Sequence, residues 1–197
     1  MRVYDEHKKS VYEVLKAGYD NPQHNNRVLA VKFSKDDPNL LLSAGWDNCI
    51  IRWDLRTKRS TGYIFGPQVY GEALDIQGDY ILAGSSRENK QIQIFDVRTT
   101  KTVSSYDWDQ NPEINKRAYV YSAQFGKCNK SLVGTAATGV NQIKIFNHQD
   151  NFSLLQKVNK GEKAVYCLDF FHQSNNYVYC GNKGALGIVS YEGVSNP

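Results

Sequence analysis

The sequence predicts an all-β fold, and three observations lead to that prediction. Short runs of alternating or β-branched apolar residues recur along the 197-residue chain, separated by Gly, Asn, Asp and Ser. Hydrophobic residues make up 41% of the chain, which is enough for a packed core and argues against disorder. Only residues 10–17 (SVYEVLKA) have a pattern that could suit a helix. The clearest strand-like runs are 28–33, 40–43, 80–83, 92–95 and 177–180. Their regular spacing favours a sandwich, a barrel or a propeller.

Two sequence marks repeat along the chain with a common period. The first is an apolar run that ends in an aromatic residue followed by Asp or Asn. It occurs at 4–5, 53–54, 95–96 and 146–147, at intervals of 49, 42 and 51 residues. The second mark is the residue that ends an earlier predicted strand in each repeat. The four residues are Phe33, Ile76, Phe125 and Phe170, at intervals of 43, 49 and 45 residues. Two independent marks at one period indicate an array of similar supersecondary units.

The best-formed repeat runs from His24 to Arg56 and reads HNNRVLAVKFSKDDPNLLLSAGWDNCIIRWDLR. It resembles the repeat of the WD-repeat family of β-propellers. In that family a histidine, a serine or threonine, an aspartate and a tryptophan form a hydrogen-bonded chain. The matching residues here are His24, Ser43, Asp47 and Trp53. The resemblance implies that this set is structural and is not a hydrolase triad.

The other repeats depart from this pattern. Pro67 and Gly161 stand where the second and fourth repeats would carry the histidine, and Arg87 lies near the turn aspartate of the second. Asn147 replaces the aspartate that follows the aromatic residue in the third repeat. We therefore expect these repeats to rely on apolar packing of their faces.

The resemblance implies one propeller domain over residues 1–197, with about four and a half blades of four-stranded antiparallel sheets in an incomplete or open ring. The expected blades are a half blade at 1–17 and four more at 24–65, 70–106, 117–157 and 163–192. A seven-bladed ring would need about 28 strands. We therefore expect the chain to be the C-terminal part of a longer protein. The alternative is a natural half-ring that pairs with another chain, because uncovered sheet faces favour aggregation.

Nothing in the sequence supports catalysis or a cofactor. The glycine-rich segment 134–139 (GTAATG) is followed by Val140-Asn141 and so lacks the lysine of a phosphate-binding loop. The four histidines and four cysteines show no metal-ligand spacing, and no GxSxG motif occurs. We therefore predict a protein that is not an enzyme and that takes no metal, no cofactor and no small-molecule substrate.

Charge and hydrophobicity limit the partners and the compartment. The net charge of +4 comes from interspersed basic and acidic residues, so a nucleic-acid partner is not indicated. No window approaches 18 uninterrupted apolar residues, and the first residues do not resemble a secretory signal. The sequence therefore predicts a cytoplasmic protein with no membrane partner.

Five residues are candidates for contacts with partner proteins, because aromatic residues and arginine dominate binding hot spots. Trp46 precedes the turn aspartate and Arg87 occupies the equivalent turn of the next repeat. Tyr70 and Tyr121 stand at the starts of two inner strands, where ordinary core packing is the competing interpretation. Trp46 has a competing interpretation too, which is packing on the neighbouring loop. Trp108 lies in the long loop 106–116 and either docks into a partner or caps the end of a blade.

Two classes of function follow from the resemblance. The first is a scaffold in a large multi-subunit assembly, such as a ciliary, axonemal or other cytoskeletal structure. The second is a recognition or adaptor module, such as a substrate receptor for a ubiquitin ligase or a signalling adaptor. Both act through other proteins, and fold alone does not choose between them.

Overall fold

A computed structural model describes residues 1–18, 23–108, 117–160 and 163–191. These residues form 17 strands and one 3-10 turn at Asn182–Gly184. The strands are β1 (Arg2–Asp5), β2 (Ser10–Val14), β3 (Val28–Phe33), β4 (Leu40–Gly45), β5 (Cys49–Asp54), β6 (Arg59–Phe65), β7 (Leu74–Gln77), β8 (Tyr80–Gly84), β9 (Ile92–Asp96), β10 (Thr102–Tyr106), β11 (Tyr119–Phe125), β12 (Leu132–Thr138), β13 (Gln142–Asn147), β14 (Ser153–Asn159), β15 (Val165–Phe170), β16 (Tyr177–Gly181) and β17 (Leu186–Val189). None of these described residues belongs to a helix long and apolar enough to cross a membrane.

The strands form antiparallel sheets in which neighbours in the sequence are neighbours in space. The sheets are β1–β2, β3–β6, β7–β10, β11–β14 and β15–β17. Each sheet is therefore a meander joined by short turns. The segment with helical character in the sequence contributes strand β2 instead, because β1 offers it a hydrogen-bonding edge.

The first strands of successive sheets contact one another. Strand β3 contacts β7, β7 contacts β11, and β11 contacts β15. Glu72 and Ser122 form a parallel bridge where β7 and β11 approach. The sheets therefore radiate from a common centre as blades, with these first strands innermost. This arrangement confirms the predicted all-β propeller of antiparallel sheets.

The core lies between the faces of adjacent blades. One cluster joins the blades β3–β6, β7–β10 and β11–β14 and includes Leu42, Leu74 and Leu82, all fully buried. A second cluster joins β11–β14 to β15–β17 and includes Ile145 and Leu168. Central strands such as β9 are buried on both faces because a blade covers each side. Apolar burial of this kind is the main stabilising contribution to folding.

Three inner strands carry an irregularity at the same place. The register shifts between Val28 and Ala30 in β3, between Val120 and Ser122 in β11, and between Val165 and Cys167 in β15. The residue inside the shift lies outside the regular ladder and its side chain is re-aimed, as in a β-bulge. In β11 and β15 that residue is a tyrosine, Tyr121 and Tyr166.

Candidate protein-binding surface

The blade β3–β6 contains a continuous chain of hydrogen bonds between side chains. The Trp53 indole Nε1 donates to Ser43 Oγ at 2.8 Å, and Ser43 Oγ lies 2.7 Å from His24 Nε2. His24 Nδ1 lies 2.7 Å from Asp47 Oδ2, which also accepts the Asn25 backbone N–H. A neutral imidazole protonated on Nδ1 satisfies every partner in this order. This series of hydrogen bonds fixes the turn that carries Asp47 and thereby the adjacent residue, Trp46.

Trp46 is held by its backbone and by one arginine. Its backbone N–H donates to the Arg27 carbonyl oxygen at 3.0 Å, and the Arg27 guanidinium lies 5.0 Å from the centre of the indole ring. Gly45 permits this approach, because a Cβ there would lie 1.9 Å from the same carbonyl oxygen. The Trp46 Nε1 atom is buried and has no hydrogen-bond partner among the described residues. A buried donor without a partner lowers stability, so this nitrogen is a local cost of holding the Trp46 ring in place.

Four aromatic rings from four successive blades form a continuous row, which we call the aromatic arc. Trp46 and Tyr70 have ring centres 5.2 Å apart, Tyr70 and Tyr121 are 6.0 Å apart, and Tyr121 and Tyr166 are 5.4 Å apart. These separations are those of tilted and edge-to-face ring pairs. The arc therefore crosses the blades β3–β6, β7–β10, β11–β14 and β15–β17 at one end of their inner strands.

Backbone geometry explains why these rings meet. Tyr121 and Tyr166 are the residues within the two register shifts of β11 and β15. Gly71, next to Tyr70, has a φ of +61°, and a Cβ there would lie 2.7 Å from the Tyr121 carbonyl oxygen. A glycine is required at such a close approach with positive φ. The glycine and the two shifts place the three tyrosines against one another.

The arc is partly accessible. Trp46, Tyr70 and Tyr121 are half-buried, and Tyr166 is 45% exposed. Burial raises the pKa of Tyr121, and the neighbouring phenols of Tyr166 and Tyr70 add to this effect. The Tyr121 hydroxyl therefore stays neutral at physiological pH and can donate a hydrogen bond. The arc offers apolar ring surface together with the neutral hydroxyl of Tyr121.

Comparison with known proteins agrees with this geometry. The family described as "WD domain, G-beta repeat" matches residues 15–54, which contain Ser43, Asp47 and Trp53. The chain is similar to the APC/C activator protein CDC20 of Saccharomyces cerevisiae, with 23% identity over 160 residues. That match covers 74% of this chain and 24% of CDC20, so the chain spans about a quarter of this relative. The chain folds as a β-propeller, and its residues 15–54 match the WD repeat.

Other matches add to the propeller assignment. A 58-residue stretch is 41% identical to Restriction of telomere capping protein 1 of Zygosaccharomyces rouxii, covering 26% of this chain and 5% of that protein. The computationally designed Ika4 protein matches 88% of this chain and 96% of its own, with a TM-score of 0.67 and 19% identity. The designed Ika8 protein matches 95% of this chain and 51% of its own, with a TM-score of 0.69 and 19% identity. These designed structures show the fold alone.

Trp108 is buried within the propeller, which agrees with the prediction that it caps the end of a blade and not with the alternative that it docks into a groove of a partner. Trp108 is 2% exposed, and its Nε1 donates to Gln142 Oε1 at 3.2 Å. Lys144 Nζ donates to its carbonyl oxygen and lies 4.7 Å from its ring centre. Trp108 therefore packs against the neighbouring blade, because the apolar ring is more stable between two sheets than in water. The rest of the predicted loop, 109–116, lies outside the described residues.

Arg87 lies in the turn between β8 and β9 of the propeller, as the sequence placed it. Its Nη1 donates to the Gly66 carbonyl oxygen at 2.9 Å, and the side chain is exposed. Nearby, Arg117 donates through Nε and Nη2 to the Ser86 carbonyl oxygen. These arginines position the turns beside the arc, and no ring contact with Arg87 is recorded among the described residues.

Sequence reasoning missed Tyr166, the most exposed ring of the arc. A signal for it was present, because Val165-Tyr166-Cys167 in β15 repeats the pattern of Val120-Tyr121-Ser122 in β11. Both tyrosines occupy the register shift of their strand. Within the described residues, no cluster of three or more His, Cys, Asp or Glu side chains could hold a metal ion.

Proposed function

We propose that this propeller is a recognition module that binds an extended segment of a partner protein across the aromatic arc. The observation that carries the proposal is the unbroken row of four rings contributed by four blades. The WD repeat and the similarity to CDC20 support a propeller that acts through protein interactions. The arc supplies a surface of suitable chemistry for such an interaction.

The physical argument rests on the side chains of the arc. Tyrosine and tryptophan bring large, rigid contact areas whose ordering costs little conformational entropy. Three of the rings are already held by their neighbours, so less freedom is lost on binding. At one end the half-buried Trp46 ring adds apolar contact area. At the other end Tyr166 is the most accessible ring.

The similarity to CDC20 supports a recognition or adaptor role over a purely structural one. The name of that protein describes an activator that acts on APC/C. By analogy, we propose that this propeller recognises partners for a larger machinery, as a substrate receptor or signalling adaptor would. A cytoplasmic location and a place in a ciliary or cytoskeletal assembly stay predictions from the sequence.

A peptide-display library screened against the full chain tests the proposal. Peptides that bind are labelled, and their affinities are measured by fluorescence anisotropy for the wild-type chain and for variants. We expect Trp46→Ala and Tyr166→Ala to weaken binding at least tenfold, an effect of about 1.4 kcal/mol. The matched control is Tyr12→Ala on β2, which removes a tyrosine that is 71% exposed and off the arc.

Urea unfolding of each variant shows whether the fold is retained. Folded variants of Trp46 and Tyr166 that bind every selected peptide as tightly as the wild-type chain would exclude the arc as the binding surface. A loss of affinity in Tyr12→Ala equal to that in Tyr166→Ala would also contradict the proposal.

A further inference from the structure

Two cysteines lie side by side on the last sheet. Cys167 on β15 is the direct cross-strand neighbour of Cys180 on β16. The Cys180 thiol is also one of the groups that raise the pKa of Cys167, as expected of two neighbouring thiols. Directly opposed residues of an antiparallel pair have Cα atoms about 4.5–5.5 Å apart. That separation lies within the range found for disulfides, so the backbone need not move far to join the two sulfurs.

The other two cysteines have no such neighbour. Cys49 is half-buried on β5, where its cross-strand partner is Phe65. Cys128 is exposed in the turn between β11 and β12. The chain therefore contains one adjacent pair and, in Cys128, an accessible single thiol for comparison.

We propose that Cys167 and Cys180 form a reversible oxidation site, which closes into a cross-strand disulfide on reaction with a disulfide oxidant such as oxidised glutathione. Both thiols are free in the structure, and Cys180 is the exposed member of the pair. Disulfides in reducing compartments are typically transient or redox-sensing, and this pair is suited to that behaviour.

The chemistry proceeds by two exchange steps. The Cys180 thiolate attacks one sulfur of oxidised glutathione, the glutathione S–S bond breaks, and one glutathione thiolate leaves. The Cys167 thiolate then attacks the Cys180 sulfur, a protein S–S bond forms, and the second glutathione leaves. The two glutathione thiolates balance the two protons released by the cysteines. Two protein thiols are oxidised, and one oxidised glutathione is reduced to two glutathione molecules.

The second step is expected to be the slow one. Burial raises the pKa of Cys167 to about 11, with Cys180, Glu72 and Asp169 adding to the effect. Only the thiolate is a nucleophile, so below that pKa its fraction rises about tenfold for each unit of pH. Closure should therefore accelerate with pH, while attack by the exposed Cys180 thiol comes first.

The experiment incubates the full, folded chain with mixtures of oxidised and reduced glutathione and analyses tryptic peptides by mass spectrometry. No lysine or arginine lies between Lys163 and Lys183, so both cysteines fall in one peptide, 164–183. We expect this peptide to become lighter by two hydrogen atoms and to regain them when dithiothreitol is added. Cys167→Ser should instead leave glutathione attached to Cys180, whereas Cys128→Ser should close the disulfide as the wild-type chain does.

A second measurement needs no variant. The same incubation in urea tests whether the folded sheet brings the thiols together, and we expect the yield of closed peptide to fall at least threefold there. Peptide 164–183 remaining reduced, or carrying only glutathione, while Cys128 is fully modified would overturn the proposal. Equal closure in the folded and the urea-unfolded chain would also overturn it, because the strand register would then play no part.

Discussion

Two blades of this propeller stabilise their centres in different ways. In β3–β6, Trp53 stands opposite Leu41 and is tied through Ser43 and His24 to Asp47 by hydrogen bonds. In β11–β14, the corresponding aromatic residue is Phe146, which stands opposite Val133 and is fully buried. Its ring centre lies 5.0 Å from that of Tyr106 and 5.9 Å from that of Phe152. One blade thus uses a polar chain and the other uses a cluster of rings.

The difference shows what the polar chain adds to a blade. Ring packing is non-directional and requires only apolar surface of suitable size. The hydrogen-bonded chain is directional, and it fixes one particular turn, the turn that presents Trp46 to the aromatic arc. In β11–β14 the hydroxyl of Thr135, which corresponds to Ser43, donates to the Lys144 carbonyl oxygen within the same sheet. A blade can therefore fold without the polar chain, but its turns are then positioned by other contacts.

The largest expected effect concerns the ring cluster. Phe146→Ala should lower the free energy of unfolding by about 3–5 kcal/mol, because it leaves a cavity between two blades. The matched control is Phe65→Ala at the end of β6, where the side chain is 70% exposed and the change should stay within about 0.5 kcal/mol. Equilibrium unfolding in urea measures both. Similar losses for the two variants would contradict the assignment of Phe146 to the core.

Removing the central hydroxyl of the polar chain should come next. Ser43→Ala should cost about 1–3 kcal/mol, because it leaves the buried Trp53 Nε1 and the His24 ring nitrogen without their partner. Thr135→Val removes the corresponding hydroxyl of the other blade and should cost under about 1 kcal/mol, since only one hydrogen bond is lost. Urea unfolding of the two variants gives the comparison directly. An equal cost for both would mean that the polar chain adds no more stability than the single hydrogen bond of Thr135.

A double-mutant cycle isolates the polar chain from packing. Trp53→Phe makes the first blade resemble the other and removes the indole donor. Ser43→Ala should then cost about 1 kcal/mol less in the Trp53→Phe background than in the wild-type chain. Phe146→Leu combined with Thr135→Val serves as the control cycle and should be additive within about 0.5 kcal/mol. A coupling energy near zero in the first cycle would argue against a shared hydrogen bond.

The smallest expected effect is on the pH dependence of the free energy of unfolding, through a carboxyl group at the boundary between two blades. Asp75 on β7 accepts the Phe125 backbone N–H of β11 at 2.9 Å, and burial raises the pKa of this carboxyl above its ordinary value. A raised pKa means that the folded state holds the proton more tightly. The Asp75 contribution to stability is therefore lost as pH rises from the unfolded value, about 3.9, through the folded value.

The variant Asp75→Asn can still accept the same hydrogen bond but does not titrate. Its stability relative to the wild-type chain should increase with pH over this acidic range and then level off. Urea unfolding at a series of pH values measures the difference. A difference that decreases with pH would mean that the carboxylate is stabilised by its surroundings, with Lys32 and Lys35 outweighing desolvation.

Much of the fold was predictable because its signals are local. The strand periodicity and the repeat marks at Trp53, Phe95 and Phe146 predicted an array of all-β units, the resemblance to a WD repeat implied antiparallel blades, and both predictions are confirmed. Alternation with a period of two reports which face of a strand is buried, and it requires no knowledge of distant residues. The helical pattern at 10–17 was ambiguous because short apolar segments suit either a helix or a strand until a neighbour is present.

The candidate site was predictable only in part. Trp46, Tyr70 and Tyr121 were selected by residue type and position, and the structure brings all three into one arc. Trp108 was selected in the same way and is buried instead. An aromatic residue in a loop suits a partner interface and an inter-blade core equally well, because both remove the ring from water. The sequence carried no signal that decided between them.

The sequence by itself determined the repeat and the strand pattern, which follow from backbone periodicity. The resemblance of residues 24–56 to a WD repeat supplied the identity of the residues that hydrogen-bond within the blade β3–β6. Only the tertiary structure decided that Tyr121 meets Tyr166 and that Cys167 faces Cys180. Such contacts depend on strand register and on the shifts that re-aim single side chains. A displacement of one residue, which the sequence pattern tolerates in an irregular strand, would separate them.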